Sequence, residues 1–150
     1  MPGPAAVMGD KVTGMCATHL MPGAFGAPQP SPPLPFSAPL TIGLAPTVLI
    51  GGKPAAVVGS SGLNLPPHVG LHPSDPHMVP TVQQGTVVAG VPTVLIEGKP
   101  AATTGSACTM CFGLPGTVVG TAVTVLVGTG ACASRRRANK CGALRPAGGR

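Results

Sequence analysis

The sequence predicts an all-β fold: a small pseudo-threefold β-prism or cone built from three short repeats, with irregular loops converging on a metal site. Three observations predict it. The first is composition. The 150 residues include 23 Gly and 20 Pro with no Trp or Tyr, yet 43 % are apolar and only 8 % charged. Gly and Pro recur too often for interior helices, while the apolar fraction exceeds what a disordered chain carries. The second is internal repetition. Residues 46–60 read PTVLIGGKPAAVVGS and residues 92–106 read PTVLIEGKPAATTGS, identical at twelve of fifteen positions. The third is the placing of cysteine and histidine: all four His and three of the five Cys fall in the variable stretches between the repeated ones.

The repeats set the order of the elements. Pro4-Ala5-Ala6-Val7-Met8-Gly9 is a first copy of the second half of the unit, and Thr124-Val125-Leu126-Val127-Gly128 is a third copy of its first half. The chain thus holds three cycles, over about 4–50, 54–96 and 100–127. Each opens on Pro-Ala-Ala-x-x-Gly, crosses a variable loop and closes on a β-branched strand. The strands expected are Pro46–Ile50, Thr86–Val88 and Thr124–Val127, short apolar runs between turn residues. Gly51-Gly52-Lys53-Pro54 and Glu97-Gly98-Lys99-Pro100 read as turns, where glycine permits positive φ and proline restarts the chain. No cycle can bury its apolar face alone, so the three must close on one another.

Residues 1–130 are read as one domain. Residues 22–39, with seven prolines, read as a stiff extended surface loop inserted in the first cycle. Residues 131–150 read as a disordered basic tail: six of the nine Lys and Arg lie between Arg135 and Arg150, so the net charge of +6 describes the tail and not the domain. Cys132 and Cys141 receive no role. The start, Met1-Pro2-Gly3-Pro4, lacks a basic segment followed by an apolar one. Synthesis in the cytoplasm is therefore expected, where cysteines serve metals before disulfides.

The repeated Thr-Val-Leu-Ile-x-Gly-Lys-Pro-Ala-Ala resembles the signature of PAAR-repeat proteins over about residues 4–128. The match is close at Pro54-Ala55-Ala56 and Pro100-Ala101-Ala102. The arginine of the signature is Val57 in one copy and Thr103 in the other, and its Gly-Asp survives only at Gly9-Asp10, becoming Gly59-Ser60 and Gly105-Ser106. The resemblance implies a sharp tip seated on a trimeric VgrG-like tail-spike protein of a type VI secretion or other contractile injection system. It further implies a zinc ion near the apex held by His and Cys, possible effector cargo, transient contact with a target membrane, no nucleic-acid partner, and delivery to the exterior or a target cell.

The residues support such a centre on their own. Loop one carries Cys16-Ala17-Thr18-His19, loop two His68, His72 and His77, and loop three Cys108-Thr109-Met110-Cys111. Cys-x-x-His and Cys-x-x-Cys spacings let two side chains meet one tetrahedral ion. His19 lies ten residues after Gly9 and His68 nine after Gly59, similar places in their cycles. The expected ligands are His19, His68 or His72, Cys108 and Cys111, with Cys16 as the substitute and His77 last. The only acids are Asp10, Asp75 and Glu97. Asp75 falls in loop two, but no metalloprotease, nucleophile-elbow or phosphate-loop motif accompanies it. The ion is therefore read as structural, one zinc per chain, in a non-enzymatic protein. Two rivals remain: a small zinc hydrolase effector, and a membrane-anchored protein spanning at Thr117–Ala133 ahead of Arg135-Arg136-Arg137.

Overall fold

Three backbone hydrogen bonds close a ring at the centre of the molecule. Ala6 N–H donates to Ala102 O (2.9 Å), Ala102 N–H to Ala56 O (3.0 Å) and Ala56 N–H to Ala6 O (2.9 Å). A second ring runs in the opposite sense, from Met8 to Pro54 O, Val58 to Pro100 O and Thr104 to Pro4 O, at 2.8–3.0 Å. The three Pro-Ala-Ala copies therefore surround a pseudo-threefold axis and bond in a cycle. Ala6, Ala56 and Ala102 are each 1 % exposed, and a larger side chain would force the ring apart. The computed structural model that shows this describes residues 2–69, 72–76 and 79–128.

Every copy turns in the same way after the ring. Gly9, Gly59 and Gly105 have φ of 89°, 93° and 87°, the left-handed position of a turn that glycine enters without strain. The next residue then reaches back. Asp10 Oδ2 accepts from Val7 N–H (2.8 Å), Ser60 Oγ from Val57 N–H (3.0 Å) and Ser106 Oγ from Thr103 N–H (2.9 Å). Exchanging Asp for Ser thus keeps the acceptor, and the position demands a short polar side chain and not a charge. The residues at the signature's arginine position, Val7, Val57 and Thr103, are buried.

On one side of the ring lie three two-stranded hairpins. β6 (Ala45–Ile50) pairs with β7 (Lys53–Ala55), and β10 (Val91–Ile96) with β11 (Lys99–Ala101). The last, β14 (Ala122–Val127), pairs with β1 (Gly3–Ala5), so the third cycle closes on the beginning of the chain. The turns Gly51-Gly52 and Glu97-Gly98 have positive φ throughout, which matches the twist of tight hairpins. Ala5, Val7, Ala45, Ile50, Ala55, Val57, Ala101 and Val127 form the core beneath them.

On the other side the cycles build one six-stranded antiparallel sheet in the order β5 (Leu34–Pro39), β2 (Lys11–Cys16), β13 (Pro115–Val119), β12 (Ala107–Thr109), β9 (Gln84–Val87), β8 (Ser61–Leu63). It nearly closes into a barrel, since Leu65 N–H donates to Ser37 O across the gap and Ser37 N–H to Asn64 Oδ1, both at 2.9 Å. Val12, Phe36, Ala38, Leu40, Val87, Cys108, Met110 and Val118 fill its interior. The fold is the all-β, pseudo-threefold one expected.

The proline-rich stretch departs from its reading as a loop. It carries β4 (Pro28–Pro30), which pairs with β3 (Leu20–Pro22), and the whole of β5, whose Phe36 and Ala38 are buried. β5 ends the sheet order, the place where strand prolines are tolerated because no neighbour asks for their N–H. The segment read as a possible membrane span carries most of β13 and all of β14 and follows the repeat. Among the described residues no helix is long and apolar enough to cross a membrane. His77, Cys132, Cys141 and the basic tail lie outside the described residues.

Candidate metal centre

The strands β2, β8 and β12 leave the central ring together, and the loops after them meet at the far end of the sheet. Cys16 ends β2 and His19 follows it. His68 lies in the loop after β8, and Cys111 opens a single 3-10 turn, Cys111–Gly113, after β12. The four ligand atoms lie within 4.8 Å of one another and all four residues are buried. A tetrahedral zinc with two nitrogen and two sulfur ligands needs edges of about 3.3–3.8 Å, so the set closes on an ion with side-chain shifts of about 1 Å.

The two imidazoles are fixed by partners that can only accept. His19 Nδ1–H donates to Asp75 Oδ2 (3.0 Å), and His68 Nε2–H donates to Pro35 O (2.8 Å). A carboxylate and a carbonyl offer no proton, so in the neutral rings His19 Nε2 and His68 Nδ1 carry lone pairs. These two nitrogens face each other at 2.9 Å, with the rings nearly perpendicular at 87°. One proton shared between the rings makes this contact a hydrogen bond, and a cation held by both nitrogens and both sulfurs can take that proton's place. A carboxylate behind a ligating histidine is the usual outer partner of a metal site.

The sulfurs are unequal. Cys16 donates a hydrogen bond to Cys111, which holds the Cys16 thiol well above its ordinary range. Accepting that bond, with the His19 ring alongside, lowers Cys111 to about 6. Cys111 is thus the first thiolate offered to a cation, and Cys16 follows when the metal displaces its proton.

The loops hold these groups through a buried polar clamp. Asp75 Oδ2 also accepts from Leu20 N–H at 2.9 Å. Gln83 is fully buried; its Oε1 accepts from His68 N–H (2.7 Å) and from Asn64 Nδ2 (3.3 Å), and its Nε2 donates to His68 O (3.0 Å). Phe36 sits edge-on to His68 with ring centroids 6.5 Å apart.

The structure brings together His19, His68 and Cys111 of the expected set and adds Cys16, the named substitute. Cys108 and His72 stand apart. Cys108 lies in mid-strand opposite Val87 and Gly116. Its thiol points toward Ser106 O at 3.5 Å, and burial pushes it up to about 11, which keeps it protonated and inert. The Cys-x-x-Cys spacing fails as a pair because its first member belongs to a strand and its second to the turn beyond. His72 faces the hairpin β3–β4 instead, its Nε2–H donating to Gly26 O (2.9 Å) while Nδ1 accepts from Ser74 N–H (3.1 Å). Gln83 and Asn64 carried no sequence signal. Asp75, set aside for want of a motif, positions His19. No family model matches the chain, and no curated protein or solved structure is significantly similar to it.

Proposed function

We propose that the chain is a PAAR-like tip that caps the trimeric spike of a contractile injection apparatus, stiffened at its apex by one structural zinc. The observation that carries the reading is at the opposite end from the cluster. Leu49, Leu95 and Leu126 stand at the same register in the three hairpins, opposite Pro54, Pro100 and Pro4, and are 60 %, 61 % and 61 % exposed. Three equal apolar groups around a pseudo-threefold axis suit a partner with true threefold symmetry, and one chain then seats on one trimer. Four protein donors around the ion leave no vertex for a substrate water, which favours a structural ion over a catalytic one.

The ion would join all three cycles, tying His19 to Cys111 across most of the chain. Structural zinc contributes on the order of 10 kcal/mol to small domains, where burial of Ala and Val contributes little per residue. Resistance to a driven thrust depends on the unfolding rate, and metal–ligand bonds raise that barrier at the end meeting the target.

Electron microscopy of the purified protein with trimeric tail-spike proteins of the same genome tests the reading. One copy should sit on each trimer, leucines inward. The triple change Leu49→Asp, Leu95→Asp, Leu126→Asp should abolish the complex without loss of metal. A stable homotrimer of the chain alone, or an undiminished complex from the triple variant, would overturn the proposal.

A further inference from the structure

The three junctions between neighbouring hairpins at the leucine-bearing end share one geometry but not one chemistry. At the first, Glu97 of the β10–β11 turn reaches across to β6 and its Oε1 accepts from Thr47 N–H at 3.0 Å and from the Thr47 hydroxyl. Thr47 lies where the ladder skips, between Ala45 and Leu49, so no residue of β7 stands opposite it. These two bonds hold the Glu97 carboxyl below its usual range.

Rotation by one cycle takes Glu97 to Gly51 and Thr47 to Thr124, by the repeat alignment. Thr124 again lies where the ladder skips, between Ala122 and Leu126. Gly51 has no side chain to send, and the place is a surface cavity of about 220 Å³ lined by Val7, Ile50, Gly51, Lys53, Thr121 and Thr124. At the third junction the equivalent residue, Gly128, lies against Pro2. One junction is thus filled from within, one abuts the start of the chain, and one is open.

We propose that the open junction receives a carboxylate from a docking protein, an Asp or Glu side chain that takes the place of Glu97 and accepts from Thr124 N–H and Oγ1–H beside the Lys53 ammonium. The chemistry is the one the molecule already uses at Thr47, with charge assistance from the lysine. The cavity lies in the two hairpins that carry Leu49 and Leu126, so the carboxylate comes from an acidic residue of the partner seated there. Its identification as a spike rests on the function proposed above; the chemistry of the pocket does not.

Sodium acetate is the probe for the pocket itself. In amide NMR spectra of the metal-loaded protein the Thr124 resonance should shift saturably with acetate and not with chloride at equal ionic strength. Thr47 should stay still until Glu97→Gly empties its junction, and then respond. Gly51→Glu should silence Thr124, because Glu97 shows that this turn accepts glutamate: its φ of 50° is close to the 59° of Gly51. An unresponsive Thr124 in the unmodified protein, or one still responsive in Gly51→Glu, would overturn the pocket. For the source of the carboxylate, Gly51→Glu and Thr124→Val should each weaken docking to the trimeric spike about tenfold. Unchanged docking by both would overturn the partner's carboxylate as occupant. Failure of the unmodified protein to dock at all would count against the spike reading, with acetate still deciding the pocket.

Discussion

The two ends of the molecule are built from the same three cycles and treat them oppositely. At the hairpin end the cycles share one framework, the paired rings, the turn glycines and the leucines of near-equal exposure, and differ only at the junctions between hairpins. At the loop end no two cycles agree. The first supplies Cys16 and His19, the second His68, the third Cys111, and the supporting Asp75 and Gln83 come from the second alone. A single chain can do this, because covalent linkage frees each copy to diverge where a homotrimer would repeat its side chains three times. Symmetry makes the scaffold, and departure from it makes the site.

Metal removal should separate the ends most strongly. Cys16→Ser with Cys111→Ser should abolish metal content and lower the melting temperature by tens of degrees, as loss of about 10 kcal/mol from a small domain implies. Cys108→Val should keep a full complement of metal and cost about 1–3 kcal/mol, since it adds roughly one methyl group to a packed interior and loses only a weak donor. Elemental analysis with thermal melts checks both, and metal loss in Cys108→Val would mean that the ligands are misassigned. Next in size, Asp75→Asn should weaken metal affinity about 10- to 100-fold by loosening His19, measured by competition with a chelating dye.

At the repeated end the effects are smaller. Ser60→Ala should cost about 1 kcal/mol by orphaning Val57 N–H and Gly43 O, and Ser60→Asp should recover only the first of these bonds, as Asp10 does at Val7, because a carboxylate cannot donate to Gly43 O. Equal stability of all three proteins in urea would break the claim that this position is read for its acceptor. The smallest effect is one of pH. Burial raises Cys108 from 9.0 to about 11, so the unfolded chain loses this proton first as the solution turns alkaline. Stability should be intact below pH about 9 and decline toward about 11, and Cys108→Val should remove that part of the decline.

The scaffold was legible in the amino-acid repeats alone. They also held the answer for Cys108, because Asp10 and Ser106 are equivalent and two residues beyond them lie Val12 and Cys108. Val12 is fully buried in the sheet, so its counterpart belongs to the core and not to the site. The spacing of a Cys-x-x-Cys pair outweighed that alignment in the expectation. The proline-rich strand was illegible because its value lies in tertiary context: β5 is an edge, and Pro35 serves through its carbonyl on His68. Asp75 and Gln83 were illegible for a different reason, since no spacing relates them to the residues they hold.

X-ray absorption at the zinc edge tests the central claim most directly, because it counts nitrogen and sulfur around the ion. Protein purified without chelator should hold one zinc per chain with two nitrogens at about 2.0 Å and two sulfurs at about 2.3 Å. The spectrum should be unchanged in Cys108→Val. Three or more sulfurs, or a protein that holds no metal, would contradict a centre made by Cys16, His19, His68 and Cys111.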